Sequence, residues 1–201
     1  MSAIRLTLFD FGNVLAHIDF NEFWRTLGLR HPDEIAPYAD GYTSWTHEYE
    51  MGFISTTQYF TELQSVFSRR FDAKQLEQAF ANIIMEPING MAEIVECVSR
   101  LHRTALVSNT NELHYKNSIE PSEAVGYLRK QYLSYQLHIM KPAQEFYDII
   151  LKDEHMDPSE VLFIDDLEIN VEGARAAGMH AIKFENYMQV KERLKALKIL
   201  D

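Results

Sequence analysis

Residues Leu6 to Phe9 form an apolar run of strand length that ends in one carboxylate, Asp10, and a turn built on Gly12 and Asn13. A buried strand that delivers Asp10 to its carboxyl end places a nucleophile or metal ligand where open α/β sheets bind ligands. Later runs repeat the pattern. Thr104 to Val107 stops at Ser108-Asn109-Thr110-Asn111, a weaker run from Tyr132 to Tyr135 is followed by Lys141-Pro142, and Val161 to Ile164 stops at Asp165-Asp166. Ala181 to Phe184 supplies a fifth strand. Helical patterns separate them: an Asn89-capped stripe of Met91, Ile94, Val95 and Val98, a helix opened by Lys141-Pro142, one from Glu168 to Ala177 stopped by Gly178, and one from Gln189 to Leu197. Repeated βα units of this length imply an α/β fold, a five-stranded parallel sheet with right-handed crossovers and helices on both faces.

One segment breaks the alternation. From Asp19 to Met85 there is no convincing apolar β-run, and aromatics recur at helical spacing, as in Phe20, Phe23, Trp24 and Leu27. Asp19 with Glu22, Ser55 with Gln58, and Asp72 with Gln75 each have capping-box spacing and mark three helix starts. This segment is expected to be a small helical bundle. Its aromatics Trp24, Trp45, Tyr49, Phe53 and Phe60 suit a core, with Trp45, Glu50 or Phe53 as the residues able to face a ligand.

Composition narrows the partners. A length of 201 residues allows one core domain carrying a smaller accessory one. A net charge of -11 argues against nucleic acid and anionic membrane surfaces, both of which rely on clustered Lys and Arg. A phosphate must therefore be met locally, by a cation or a few placed donors. Cys97 is the only cysteine; it excludes an internal disulfide, suits a reducing cytoplasm, and is expected in the core among Ile94, Val95 and Val98. Neither a signal-peptide pattern nor a run of membrane-spanning length is present. The eight histidines show no HExxH spacing, and no G-x-S-x-G elbow, Walker loop or G-x-G-x-x-G sequence occurs.

In a parallel sheet the strand ends share one edge, so Asp10, Ser108, Asn109, Lys141, Asp165 and Asp166 can converge. Three carboxylates together repel and raise one another's pKa values unless a cation sits among them. An all-oxygen set without a His or Cys ligand favours a hard ion such as Mg²⁺. Lys141 adds a point charge suited to a phosphoryl oxygen or to restraining Asp10, and Ser108 could hold the transferring group.

The strand ending in Asp10-Phe11-Gly12-Asn13-Val14, the Ser108-Asn109-Thr110-Asn111 turn, Lys141-Pro142, and Phe163-Ile164-Asp165-Asp166 followed by Asn170 and Gly173-Ala174 occur in an order that resembles the haloacid dehalogenase superfamily of hydrolases. The helical segment falls where that superfamily inserts its C1-type cap. The nearest likeness is to the bacterial sugar-phosphate phosphatase branch typified by α-D-glucose-1-phosphate phosphatase, whose first motif also reads DxGNV. Glu50-Met51-Gly52-Phe53-Ile54-Ser55 looks like the ExGxIS cap loop of that branch.

The resemblance implies a core domain of residues 1–16 and 88–201, a cap of residues 17–87, and core strands in the order 5-4-1-2-3. It implies an Mg²⁺-dependent phosphomonoesterase acting on a small phosphorylated metabolite, plausibly a sugar phosphate, through an aspartyl-phosphate on Asp10. Lys141 would be catalytic and, with Ser108, Asn109 and Glu50, would bind the substrate; Asp10, the Gly12 carbonyl, Asp165 and Asp166 would hold the metal. One departure matters: most phosphatases of the superfamily carry an acid–base Asp two positions after the nucleophile, where this chain has Gly12. General acid–base catalysis is worth ~10²–10⁴-fold, so a substitute is wanted, and His17 or Asp19 are the nearby candidates, Asp19 having the plainer explanation of a helix cap. The alternatives are a metal-independent 2-haloacid dehalogenase-type hydrolase and a catalytically weak phospholigand-binding homologue.

Overall fold

The computed structural model describes residues 3–200. In chain order the elements are β1 (Leu6–Phe9), β2 (Ala16–Ile18), α1 (Asn21–Thr26), α2 (Pro32–Glu50), α3 (Thr56–Val66), α4 (Ala73–Ala81), β3 (Ile84–Pro87), α5 (Met91–Leu101), β4 (Arg103–Ser108), α6 (Glu112–His114), α7 (Glu123–Gly126), β5 (Lys130–Leu133), α8 (Ser134–Leu137), α9 (Gln144–Glu154), β6 (Val161–Asp165), α10 (Glu168–Ala176), β7 (His180–Lys183) and α11 (Tyr187–Ala196).

β1 is buried on both faces, and that makes it central. It pairs in parallel with β4 on one side and β6 on the other. The sheet order is β5-β4-β1-β6-β7, which, counting the sheet's strands along the chain, is the expected 5-4-1-2-3 seen from the opposite edge. The strand pleat divides the residues between two cores. Leu6 and Leu8 join Val107, Phe163, Phe146, Tyr147 and Ile150 beneath α9 and α10. Phe9 joins Leu106, Ile164, Val95, Val98, Val190 and Leu194 beneath α5 and α11.

The helices α1 to α4 form a third core of their own, with Phe23, Tyr42, Tyr49, Tyr59, Phe67 and Phe80 at its centre. Ser55 and Asp72 cap α3 and α4 with the capping boxes expected of them. The first box fails: α1 begins after Phe20, and the Asp19 carboxylate instead accepts from the Asn21 amide and pairs with Arg25.

Five local expectations are corrected. A short antiparallel ribbon, with Ala16 opposite Pro87 and Ile18 opposite Ile84, joins the helical segment to the sheet; strands this short carry no readable alternation. Helix α5 is capped by Gly90 at φ +84°, not by Asn89, and a Cβ there would meet the Tyr187 ring at 2.6 Å. The third core strand is Lys130–Leu133, because Ser134 turns into α8 to bond the backbone of Thr110 and Glu50. Lys141-Pro142 is a cis peptide preceding α9, which starts at Gln144. Cys97 is half-buried, at the groove between α5 and α11, and not in the core. Among the described residues no helix is long and apolar enough to cross a membrane.

Candidate active site

The carboxyl ends of β1, β4 and β6 place Asp10, Ser108 and Asp165 side by side, and the helical segment closes over them. Between the two lies a cavity of about 240 Å³ whose wall includes Asp10, Gly12, Ser108, Asn109, Lys141 and Asp166.

Lys141 is the electrostatic centre. Its ammonium is buried and donates to Asp10 Oδ1 at 2.7 Å, Asp165 Oδ2 at 2.6 Å and the Val107 carbonyl at 3.1 Å. These three bonds use all three of its protons. Burial alone would favour the neutral amine, but the two carboxylates outweigh it and hold Lys141 charged, above its ordinary pKa. Asp10 Oδ2 takes no hydrogen bond from the described residues and is left toward the cavity that Asp10 lines. Burial pushes the Asp10 carboxyl up to about 7; Lys141 opposes the shift and Asp165 adds to it.

Asp165 is fully enclosed. Besides Lys141 it accepts from the Leu167 amide at 2.9 Å and from Asn170 Nδ2 at 3.1 Å on each oxygen. Asp166 is half-buried, faces the cavity and accepts from Asn13 Nδ2 at 3.2 Å, while Asn13 Oδ1 receives the Ile18 amide at 3.0 Å. Burial raises the Asp166 pKa. Asp10, Asp165 and Asp166 each offer an oxygen, all within 4.8 Å of one another. Three carboxylates against one ammonium leave an excess of two negative charges, which a divalent cation would balance.

Asn109 takes a different place from the one its type suggests. Its amide donates to the Lys141 carbonyl and accepts from the Lys141 amide, both at 2.9 Å. The side chain therefore fixes the lysine backbone and keeps one Nδ2 proton, beside the main-chain groups, for an anion. Ser108 is buried at the end of β4 and lines the cavity.

Of the three helical-segment residues expected to face a ligand, Glu50 alone lines the cavity. Trp45 packs against the helical core, and Phe53 is 57% exposed and stacks on His138. Neither candidate for the missing acid reaches the site: His17 is exposed on β2, and Asp19 is held ionised below its ordinary pKa by Arg25 and the Asn21 amide. The space at Gly12 is filled instead by a hydrocarbon, since a Cβ there would lie 2.6 Å from Ile18 Cδ1.

Two residues with no motif also belong to the site. His114 lines the cavity, but Nε2 meets the Phe80 carbonyl at 2.8 Å and Nδ1 meets Asn111 at 3.1 Å. Burial pulls it down to about 4, so it is neutral and structural. Ser134 bonds Thr110 and the Glu50 carbonyl, tying the end of α2 to the sheet. The Asn111 cap spacing was the only available signal for His114; Ser134 had none.

Comparison with known proteins gives the family. The family model described as haloacid dehalogenase-like hydrolase matches residues 38–184. D-ribitol-5-phosphate phosphatase of Bacteroides thetaiotaomicron is 29% identical over 201 residues, covering 95% of this chain and 97% of that one. A HAD-like family hydrolase from Porphyromonas gingivalis superposes with a TM-score of 0.81 at 26% identity, covering 96% and 98% of the two chains. A HAD family enzyme from Bacteroides thetaiotaomicron, solved with magnesium and inorganic phosphate, superposes with a TM-score of 0.80 at 24% identity over 92% of this chain and 96% of that one.

Proposed function

Because this chain belongs to the haloacid dehalogenase-like hydrolases, we propose that it is an Mg²⁺-dependent phosphomonoesterase that releases phosphate from a small phosphorylated metabolite through an aspartyl-phosphate on Asp10. The observation that carries the reading is the Asp10–Lys141–Asp165 arrangement, with Asp166 in reach, at the cavity beneath the helical segment. The D-ribitol-5-phosphate phosphatase relative supports phosphate-ester chemistry on a small phosphorylated metabolite.

Asp10 attacks phosphorus through Oδ2, the oxygen without a protein partner, and the bond from phosphorus to the ester oxygen breaks. Lys141 favours the ionised form of Asp10 against burial and fixes its rotamer. Ser108 and the backbone amides at the end of β4 receive the phosphoryl oxygens. Mg²⁺, held by Asp10, the Gly12 carbonyl, Asp165 and Asp166, would supply the positive charge that lets a phosphate dianion approach three carboxylates. Water then hydrolyses the acyl phosphate and regenerates Asp10. With Ile18 beside Gly12, the leaving oxygen takes its proton from water or from the substrate's own hydroxyls. The helical segment, acting as a C1-type cap, keeps bulk solvent from the intermediate.

The test is phosphate release from a panel of phosphorylated metabolites with and without Mg²⁺, for wild type and Asp10→Asn. Metal-dependent release abolished by the substitution is expected. Halide release from 2-haloacids without metal would establish the dehalogenase alternative, and ligand-induced stabilisation without turnover the binding one.

A further inference from the structure

The wall of the cavity away from Asp10 is hydrocarbon. Ile83 and Ile119 are 1% exposed at its base, Ile18 and Ile84 flank them, and Phe20 and Leu167 stand at the mouth. Several of the polar groups nearby are already engaged. Both nitrogens of His114 are bonded, both ends of the Asn109 amide are bonded, and Asn13 spans Asp166 and the Ile18 amide. Among the described residues Lys141 is the only lysine lining the cavity and no arginine lines it; the three protons of Lys141 are committed. Glu50 also lines the cavity, and its carboxyl, like the Ser108 and Thr110 hydroxyls at the end of β4, takes no hydrogen bond from any described residue.

Resting on the phosphatase reading, we infer that the leaving group is an uncharged alcohol, apolar over most of its surface, with one hydrogen-bond donor directed at Glu50. A carboxylate or second phosphate on the leaving group would meet no counter-charge and would face Glu50 instead. A polyol would press several hydroxyls against isoleucines, and each hydroxyl desolvated without a partner costs about tenfold in affinity. Burial pushes Glu50 up to about 7, so a partner that satisfies either protonation state, such as a hydroxyl, suits it. The sugar-phosphate branch that the sequence resembles would differ from this chain in the wall that selects its leaving group.

Non-hydrolysable phosphonates separate the possibilities. Calorimetry on the Mg²⁺-loaded protein would compare n-pentylphosphonate, 5-hydroxypentylphosphonate and the 2,3,4,5-tetrahydroxypentyl analogue. The monohydroxylated compound should bind more than about tenfold tighter than the tetrahydroxylated one, and Glu50→Ala should erase its advantage over n-pentylphosphonate. Equal or tighter binding of the tetrahydroxylated analogue, or no binding of any of the three, overturns the inference. Hydrolysis of p-nitrophenyl phosphate in parallel distinguishes the two readings. If phosphonates bind in the stated order without hydrolysis, the substrate class stands and the phosphatase reading falls; hydrolysis with the reverse order sinks the substrate class alone.

Discussion

Lys141 donates to Asp10 Oδ1 at 2.7 Å and at the same time to Asp165 at 2.6 Å, so one buried ammonium orients the proposed nucleophile and neutralises its neighbour. Breaking such a pair strands buried charge, typically at about 3–5 kcal/mol. Lys141→Ala is therefore expected to lower stability by that order in chemical denaturation and to reduce phosphate release at least about 100-fold. Lys141→Arg should not restore activity, because a planar guanidinium cannot reproduce the three-way geometry.

Gly12 and Ile18 should behave as a coupled pair. Gly12→Asp alone displaces the terminal Ile18 Cδ1, which would lie 2.6 Å from the added Cβ, and holding Ile18 off its rotamer costs about 0.5–1.5 kcal/mol. Gly12→Asp with Ile18→Ala removes the clash and supplies an acid beside the leaving oxygen. Steady-state kinetics should show the double variant faster than Gly12→Asp alone, by up to about 10²-fold on alkyl phosphates.

Gly52 is expected to tolerate no side chain. Its φ is +69°, and a Cβ would lie 2.0 Å from the Tyr135 carbonyl oxygen. That contact sits beside the Ser134 bond to the Glu50 carbonyl and the His138 bond to the Met51 carbonyl. Gly52→Ala should displace the end of α2 from the sheet, raise KM, and increase amide hydrogen exchange across residues 49–56.

Two buried groups give the stability opposite pH slopes. Glu50 holds its proton to about 7 in the folded state, so folding binds a proton that the unfolded chain has released. Its contribution is complete below about pH 4.5 and is lost as pH rises toward 7. His114, pulled from 6.5 to about 4, works the other way: its contribution is complete above pH 6.5 and is lost as pH falls toward 4. Denaturation midpoints measured from pH 4 to 8 should show a shallower neutral-side decline in Glu50→Gln, the raised Asp10 carboxyl supplying the remainder. An unchanged profile in that variant would remove Glu50 as the cause.

The motif order located Asp10, Ser108, Lys141, Asp165 and Asp166 before any coordinate, because strand-end residues of a parallel sheet share an edge whatever their separation along the chain. Capping spacing likewise announced α3 and α4, since a cap is a contact over three residues. Where expectation failed, the deciding contact was distant. The β2–β3 ribbon pairs Ala16 with Pro87, and Ser134 leaves its strand for the backbone of Thr110 and Glu50. The same holds for the question raised by Gly12. The sequence shows only that a side chain is missing; that Ile18 fills the space, that Arg25 removes Asp19, and that Glu50 alone of the candidate residues reaches the cavity are facts of packing between segments. Local and periodic constraints are written in the order of residues, and the chemistry of the pocket wall depends on which surfaces the folded chain brings within van der Waals contact.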